Sequence, residues 1–242
     1  MSAKAIVVHD GAMPRTPART TERPDASGLA DLGPLAQLRA GRLAVRLPLL
    51  LVGLCLYGAS LAMMVRGSLG LAPWDVLHVG IAGFLPLTLG QTIVVASFVV
   101  LLLWIPLRER PGLGTVANSV LVGVATDVTL GLLDAPSQWW VRVVLLGGGV
   151  VLNAVATGLY IGCQLGRGPR DGLMTGLVRR TGLSVRLVRT TIEVAVVALG
   201  WLLGGPVGAG TVLYALAIGP LVQVFLPRLT VRLRQPGSDD LG

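Results

Sequence analysis

Apolar residues in this chain come in long runs separated by short polar breaks. Six runs reach spanning length, at about 46–65, 88–107, 114–133, 142–163, 184–203 and 209–227. Each is close to the ~20 residues with which a helix crosses a hydrocarbon core of ~30 Å. Two shorter apolar pieces, 73–85 and 169–178, each begin at a Pro and are too short to cross. Pieces of that length re-enter the membrane, lie at its interface or pack inside a bundle. The pattern predicts an all-α integral membrane protein with six transmembrane helices and two extra short helices. Residues 1–40, with Pro14, Pro17, Pro24 and Pro34, hold no sustained apolar run and predict a disordered tail. They also lack the apolar core of a secretory signal. Residues 231–242 predict a second polar tail.

The runs are duplicated. A shift of 96 residues aligns the two halves without a gap, which divides the membrane part into units 41–134 and 135–230. Leu69-Gly70-Leu71-Ala72-Pro73-Trp74-Asp75 falls on Leu165-Gly166-Arg167-Gly168-Pro169-Arg170-Asp171. Gly112-Leu113-Gly114-Thr115-Val116 falls on Gly208-Ala209-Gly210-Thr211-Val212, Gly123 on Gly219 and Arg46 on Arg142. Leu and Val match by chance in membrane sequences; ordered clusters of Gly, Pro, Asp and Thr at one offset do not.

Composition agrees with a membrane chain. Of the 242 residues 53% are hydrophobic and only 13% charged, against about 25% charged in soluble domains. An ordinary soluble enzyme and a largely disordered chain are thereby excluded. The 33 glycines and 5% aromatics suit closely packed helices in lipid. A sequence pI of 10.9 would suggest nucleic acid in a soluble protein. Here the arginines flank the apolar runs, so the expected partners are a lipid bilayer and a small solute or ion, not nucleic acid. With six spans and the N-terminus inside, fourteen membrane-part arginines fall on the inner side and two, Arg66 and Arg142, on the outer. That bias places both termini in the cytoplasm of a multi-pass cell-membrane protein. Three spans per unit is an odd number, so the two units enter from opposite sides as an inverted repeat.

The two Gly-Pro-Asp clusters, 68–80 and 166–174, carry a family resemblance, extended by Arg180-Thr181-Gly182-Leu183-Ser184-Val185-Arg186 and 204–211. Together they resemble the YczE/YyaS/YitT-type bacterial integral membrane proteins, closest to the YczE branch, over about residues 46–227. The resemblance implies a multi-pass cell-membrane protein and carries no settled biochemical activity.

Candidate chemistry is sparse. Pro73 and Pro169 suit the first position of a helix, which sets Asp75 and Asp171 over its unsatisfied N–H groups. Those carboxylates either cap the short helices or form a pair of ion or solute ligands at broken helices. Trp74 suits an outer interface belt, and its repeat mate Arg170 the cytoplasmic side. Glu193 lies deep in the fifth run and must face the protein interior, with Arg189 one turn away as an ion-pair partner or as part of a relay. Asp127, with mate Gln223, also needs a partner. His78 is either a packed histidine or a proton carrier. Asn118 and Asn153 suit interhelical hydrogen bonds, and 147–149, three consecutive glycines, a helix-packing surface. Cys55 and Cys163 sit in apolar runs as small apolar residues. No hydrolase triad, phosphate loop, HExxH or CxxC is present, so no cofactor, metal or catalytic residue is expected, and the chain reads as no enzyme. Two functions fit: a small-solute transporter or channel, or a non-transporting accessory factor that supports another process such as secretion.

Overall fold

The computed structural model describes residues 33–233; the remainder of both expected tails lies outside the described residues. Nine α-helices and no strand occur among the described residues: α1 Pro34–Arg39, α2 Leu43–Gly67, α3 Pro73–Ala82, α4 Leu89–Leu107, α5 Leu113–Leu132, α6 Trp139–Gly162, α7 Pro169–Thr181, α8 Val185–Leu202 and α9 Ala209–Leu229. Five of them, α2, α4, α5, α6 and α9, are long and apolar enough to cross a membrane. The expected fifth span, α8, falls short of that composition because Arg186, Arg189 and Glu193 interrupt its 18 residues.

The first tail ends earlier than expected. Pro34 starts α1, and the Arg46 guanidinium ties it down by donating to the carbonyl oxygens of Gln37 at 2.7 Å and Gly41 at 3.1 Å. The second begins later, because Val231 N–H donates to Gly162 O at 3.0 Å.

Local signals explain the helix starts. Pro73 and Pro169 open α3 and α7, where a missing N–H costs nothing. Thr88 and Ser184 cap α4 and α8 by accepting from Gln91 N and Leu187 N. All eight helices from α2 to α9 keep the offset of the sequence repeat: α2, α3, α4 and α5 start 96 residues before α6, α7, α8 and α9. The link after α2 turns through positive φ at Ser68 and Gly70, and the link after α6 through the matching Gln164 and Gly166. At φ of +119° and +134°, those glycines sit where a side chain would be strained.

The two units clasp each other reciprocally. Gly114 N–H donates to Leu165 O, and Gly210 N–H to Leu69 O, both at 2.8 Å. Buried Arg46 donates to Cys163 O and Gln164 O, the carbonyls that end α6, at 2.7 Å each. Its mate Arg142 donates to Gly67 O and Ser68 O at the end of α2, at 2.9 and 3.2 Å. Cations belong at those negative helix ends.

At the centre, α2 packs along α6, with Leu50, Leu54, Leu61 and Met64 set against Leu146 and Val150. Of the three glycines at 147–149, Gly149 makes the close approach: a Cβ there would lie 2.8 Å from Met64 Cγ. Cys163 is buried, whereas Cys55 is exposed on the outer face of α2. Around this pair the short helices cross over: α3 of the first unit packs on α8 of the second, and α7 of the second on α4 of the first.

Candidate functional site

The starts of α3 and α7 converge beside the α2–α6 pair. Trp74 and Arg170, mates in the repeat, were expected at opposite membrane faces. They instead stack, the guanidinium carbon 5.1 Å from the ring centroid, because the starts of α3 and α7 lie side by side. Among the described residues the side chains of Asp75 and Asp171, both in the first turn of their helices, bond to other side chains. Asp75 Oδ1 faces His78 Nδ1 at 3.3 Å and Arg170 Nη2 at 3.5 Å. Its Oδ2 is buried and makes no hydrogen bond among the described residues. Asp171 Oδ2 accepts from Tyr160 OH at 2.6 Å. His78 is buried against Asp75 and lies behind the site rather than in it.

These groups border a cavity of about 300 Å³ between α8 and α9, floored by α2, α6 and the start of α3. Pro73, Arg170, Asp171, Arg189 and Glu193 line it together with Trp74, so five of the eight candidate residues share one space. Of the other three, His78 lies behind Asp75, Asp75 reaches the edge through Arg170, and Pro169 lines a smaller cavity of about 40 Å³ on the far side of Arg170. Glu193 Oε1 accepts from Arg189 Nε at 2.8 Å, and both side chains are partly exposed.

Sequence reasoning missed the tyrosines. The chain has three, and all three line the cavity between α8 and α9. Tyr57 and Tyr160 meet edge to face at 5.9 Å. Tyr214 OH donates to Asn153 Oδ1 at 2.9 Å, and Asn153 Nδ2 donates to Ser60 Oγ at 2.8 Å. The signal was the depth of Tyr57, in the middle of α2, since lipid-facing tyrosines favour span ends. Asp127 found its partners on α4: Thr88 Oγ1 at 2.5 Å and Gly90 N at 2.7 Å. Among the described residues no three His, Cys, Asp or Glu side chains form a metal-binding group.

Residues 44–227, which hold both units and the cavity, match the family of unknown function DUF6198. The chain belongs to that family. An uncharacterized protein of Haemophilus influenzae is 41% identical over 178 residues, covering 74% of this chain and 82% of that protein. The uncharacterized membrane protein YczE of Bacillus subtilis is 32% identical over 188 residues, covering 77% and 87%. The uncharacterized protein YyaS of Bacillus subtilis is 24% identical over 180 residues, covering 73% and 90%. No solved structure matches. This DUF6198 member is thus a membrane protein of the YczE-like kind, and its clusters 68–80 and 166–174 contribute Pro73, Trp74, Arg170 and Asp171 to the cavity wall.

Proposed function

We propose that this DUF6198 member is a transporter or channel for a small polar solute. The observation that carries the reading is the cavity of about 300 Å³ lined by Arg170, Asp171, Arg189 and Glu193 inside a bundle whose other faces are apolar. Charged groups at membrane depth are costly, and they persist where they line a pathway. The volume lies at the lower end for small-molecule sites. Asp75, Asp171 and Glu193 outnumber Arg170 and Arg189 by one formal charge, and three tyrosines and Trp74 supply aromatic faces. Carboxylates with aromatic rings suit a cation, and the arginines suit a carboxylate. The solute class is therefore a small zwitterion or organic cation, and no catalytic reaction is assigned.

The reading includes a membrane topology. In it α8 is the fifth of six spans, its charges turned to the cavity, and the two units form an inverted repeat with both termini cytoplasmic. The 96-residue offset of helix starts and the reciprocal Gly114–Leu165 and Gly210–Leu69 hydrogen bonds support a two-fold relation between the units.

The experiment is a thermal-shift panel of small zwitterions and ammonium compounds on purified protein, followed by uptake of any hit into proteoliposomes. Stabilisation of the wild type, lost in Asp171→Asn and Glu193→Gln, is the expected result. A protein that no member of the panel stabilises and that carries none across the bilayer would return the accessory-factor reading.

A further inference from the structure

The cavities on the two sides of Arg170 are counterparts. The small one, about 40 Å³, is lined by Ile93, Ser97, Asn118 and Val122 of α4 and α5. Add 96 to each number and the result is Arg189, Glu193, Tyr214 and Ile218, all of which line the large one on α8 and α9. Tyr57, Tyr160, Arg170 and Asp171 line both and separate them. One molecule therefore holds the same space twice, open between α8 and α9 and nearly shut between α4 and α5.

The reason for the difference is visible in the helix contacts. At the start of α4, Gly90 rests directly on α5, so that a Cβ on it would overlap the carbonyl oxygen of Gly123. Asp127 then accepts from Thr88 Oγ1 and from Gly90 N, pinning the two helices. In the second unit, Arg186 replaces Gly90 and Gln223 replaces Asp127, and a Cβ on Gly219, the mate of Gly123, would meet nothing within 4 Å. Like elements thus occupy two arrangements in one chain, which is the signature of a packing with two discrete states.

We infer that the Ser97–Asn118 cavity is the closed half of the solute path and that the Thr88–Gly90–Gly123–Asp127 contact is its gate. The path then runs from the α8–α9 crevice past Arg170 and Asp171 and leaves between α4 and α5 when those helices part. Ser97 and Asn118 contact the solute on that side as Glu193 and Tyr214 do on the other. The inference rests on the reading of the large cavity as a solute path and adds its second opening.

The test uses thiol accessibility in a background with Cys55→Ser and Cys163→Ala, reconstituted in nanodiscs and probed with a small charged methanethiosulfonate. Glu193→Cys reacts readily. Ser97→Cys reacts roughly tenfold or more slowly, since a minor state is populated at roughly 0.1–10%. Gly90→Val, which cannot close on Gly123, raises the Ser97→Cys rate toward that of Glu193→Cys, while Gly219→Val leaves it unchanged. Should Gly90→Val fail to fold, the pair Thr88→Cys and Asp127→Cys serves instead: oxidising it abolishes labelling at Ser97→Cys, and reduction restores it. A reactive Glu193→Cys with a Ser97→Cys that never reacts, or whose rate ignores both the Gly90→Val change and the cross-link, overturns the gate and leaves the cavity reading in place. An unreactive Glu193→Cys overturns both.

Discussion

Arg46 and Glu193 show how charged side chains among apolar helices take two different roles at the residue scale. Arg46 is fully buried and spends its guanidinium on four carbonyl oxygens. A hydrogen bond to a charged donor is worth roughly 1.5–3 kcal/mol, so Arg46→Met should lower stability by about 3 kcal/mol or more. Arg142→Met, at the equivalent but half-exposed end of α2, should cost about 1 kcal/mol. Melting of the two variants in detergent checks the order. Glu193 pairs with Arg189 in an open cavity, side chains 31% and 46% exposed. A pair so exposed contributes about 0–1 kcal/mol. Glu193→Gln should therefore melt close to the wild type yet lose solute stabilisation. A large loss of stability, recovered by adding Arg189→Gln, would assign the pair a structural role instead.

At the element scale the crossed contacts α4–α7 and α3–α8 use opposite side-chain sizes at equivalent positions. The Trp104 ring lies on Gly172, and its Nε1 donates to Pro169 O at 3.0 Å. At the matching place Gly200 lies against the backbone of Val76 and Leu77. Arg179 and Arg180 then hold the end of α4 by donating to Leu107 O and Pro106 O. Gly172→Val drives a side chain into the Trp104 ring, an overpacking that should cost about 1–3 kcal/mol. Adding Trp104→Ala should recover part of that loss, because the new side chain fills the space the ring leaves. Melting of the single and double variants decides; no recovery would mean that the α7 backbone itself must touch the ring. The helix boundaries themselves were legible along the chain, to within about three residues, because Pro73, Pro169, Thr88 and Ser184 act locally. The pairing of those helices was not, because in lipid one apolar face packs as well as another until small residues meet.

For the whole molecule, the prediction concerns orientation. Arg46, Arg142 and Arg170 are spent inside the protein, whereas Arg108, Arg110, Arg179 and Arg180 lie together where α4 and α7 end. Reporter fusions at Gly112 and Gly208 should therefore read opposite sides, cytoplasmic for the first and external for the second. The same side for both would sink the inverted arrangement and, with it, a path opening alternately at two faces. The offset of 96, the turns at Gly70 and Gly166 and the family membership follow from the order of residues, since each depends on short segments read twice. Only the tertiary structure brought Trp74 onto Arg170, gathered three tyrosines round one cavity, and parted α8 from α9 while closing α4 on α5. Those outcomes depend on contacts between segments distant in the chain, where a single Gly90 in place of Arg186 decides whether two backbones can touch.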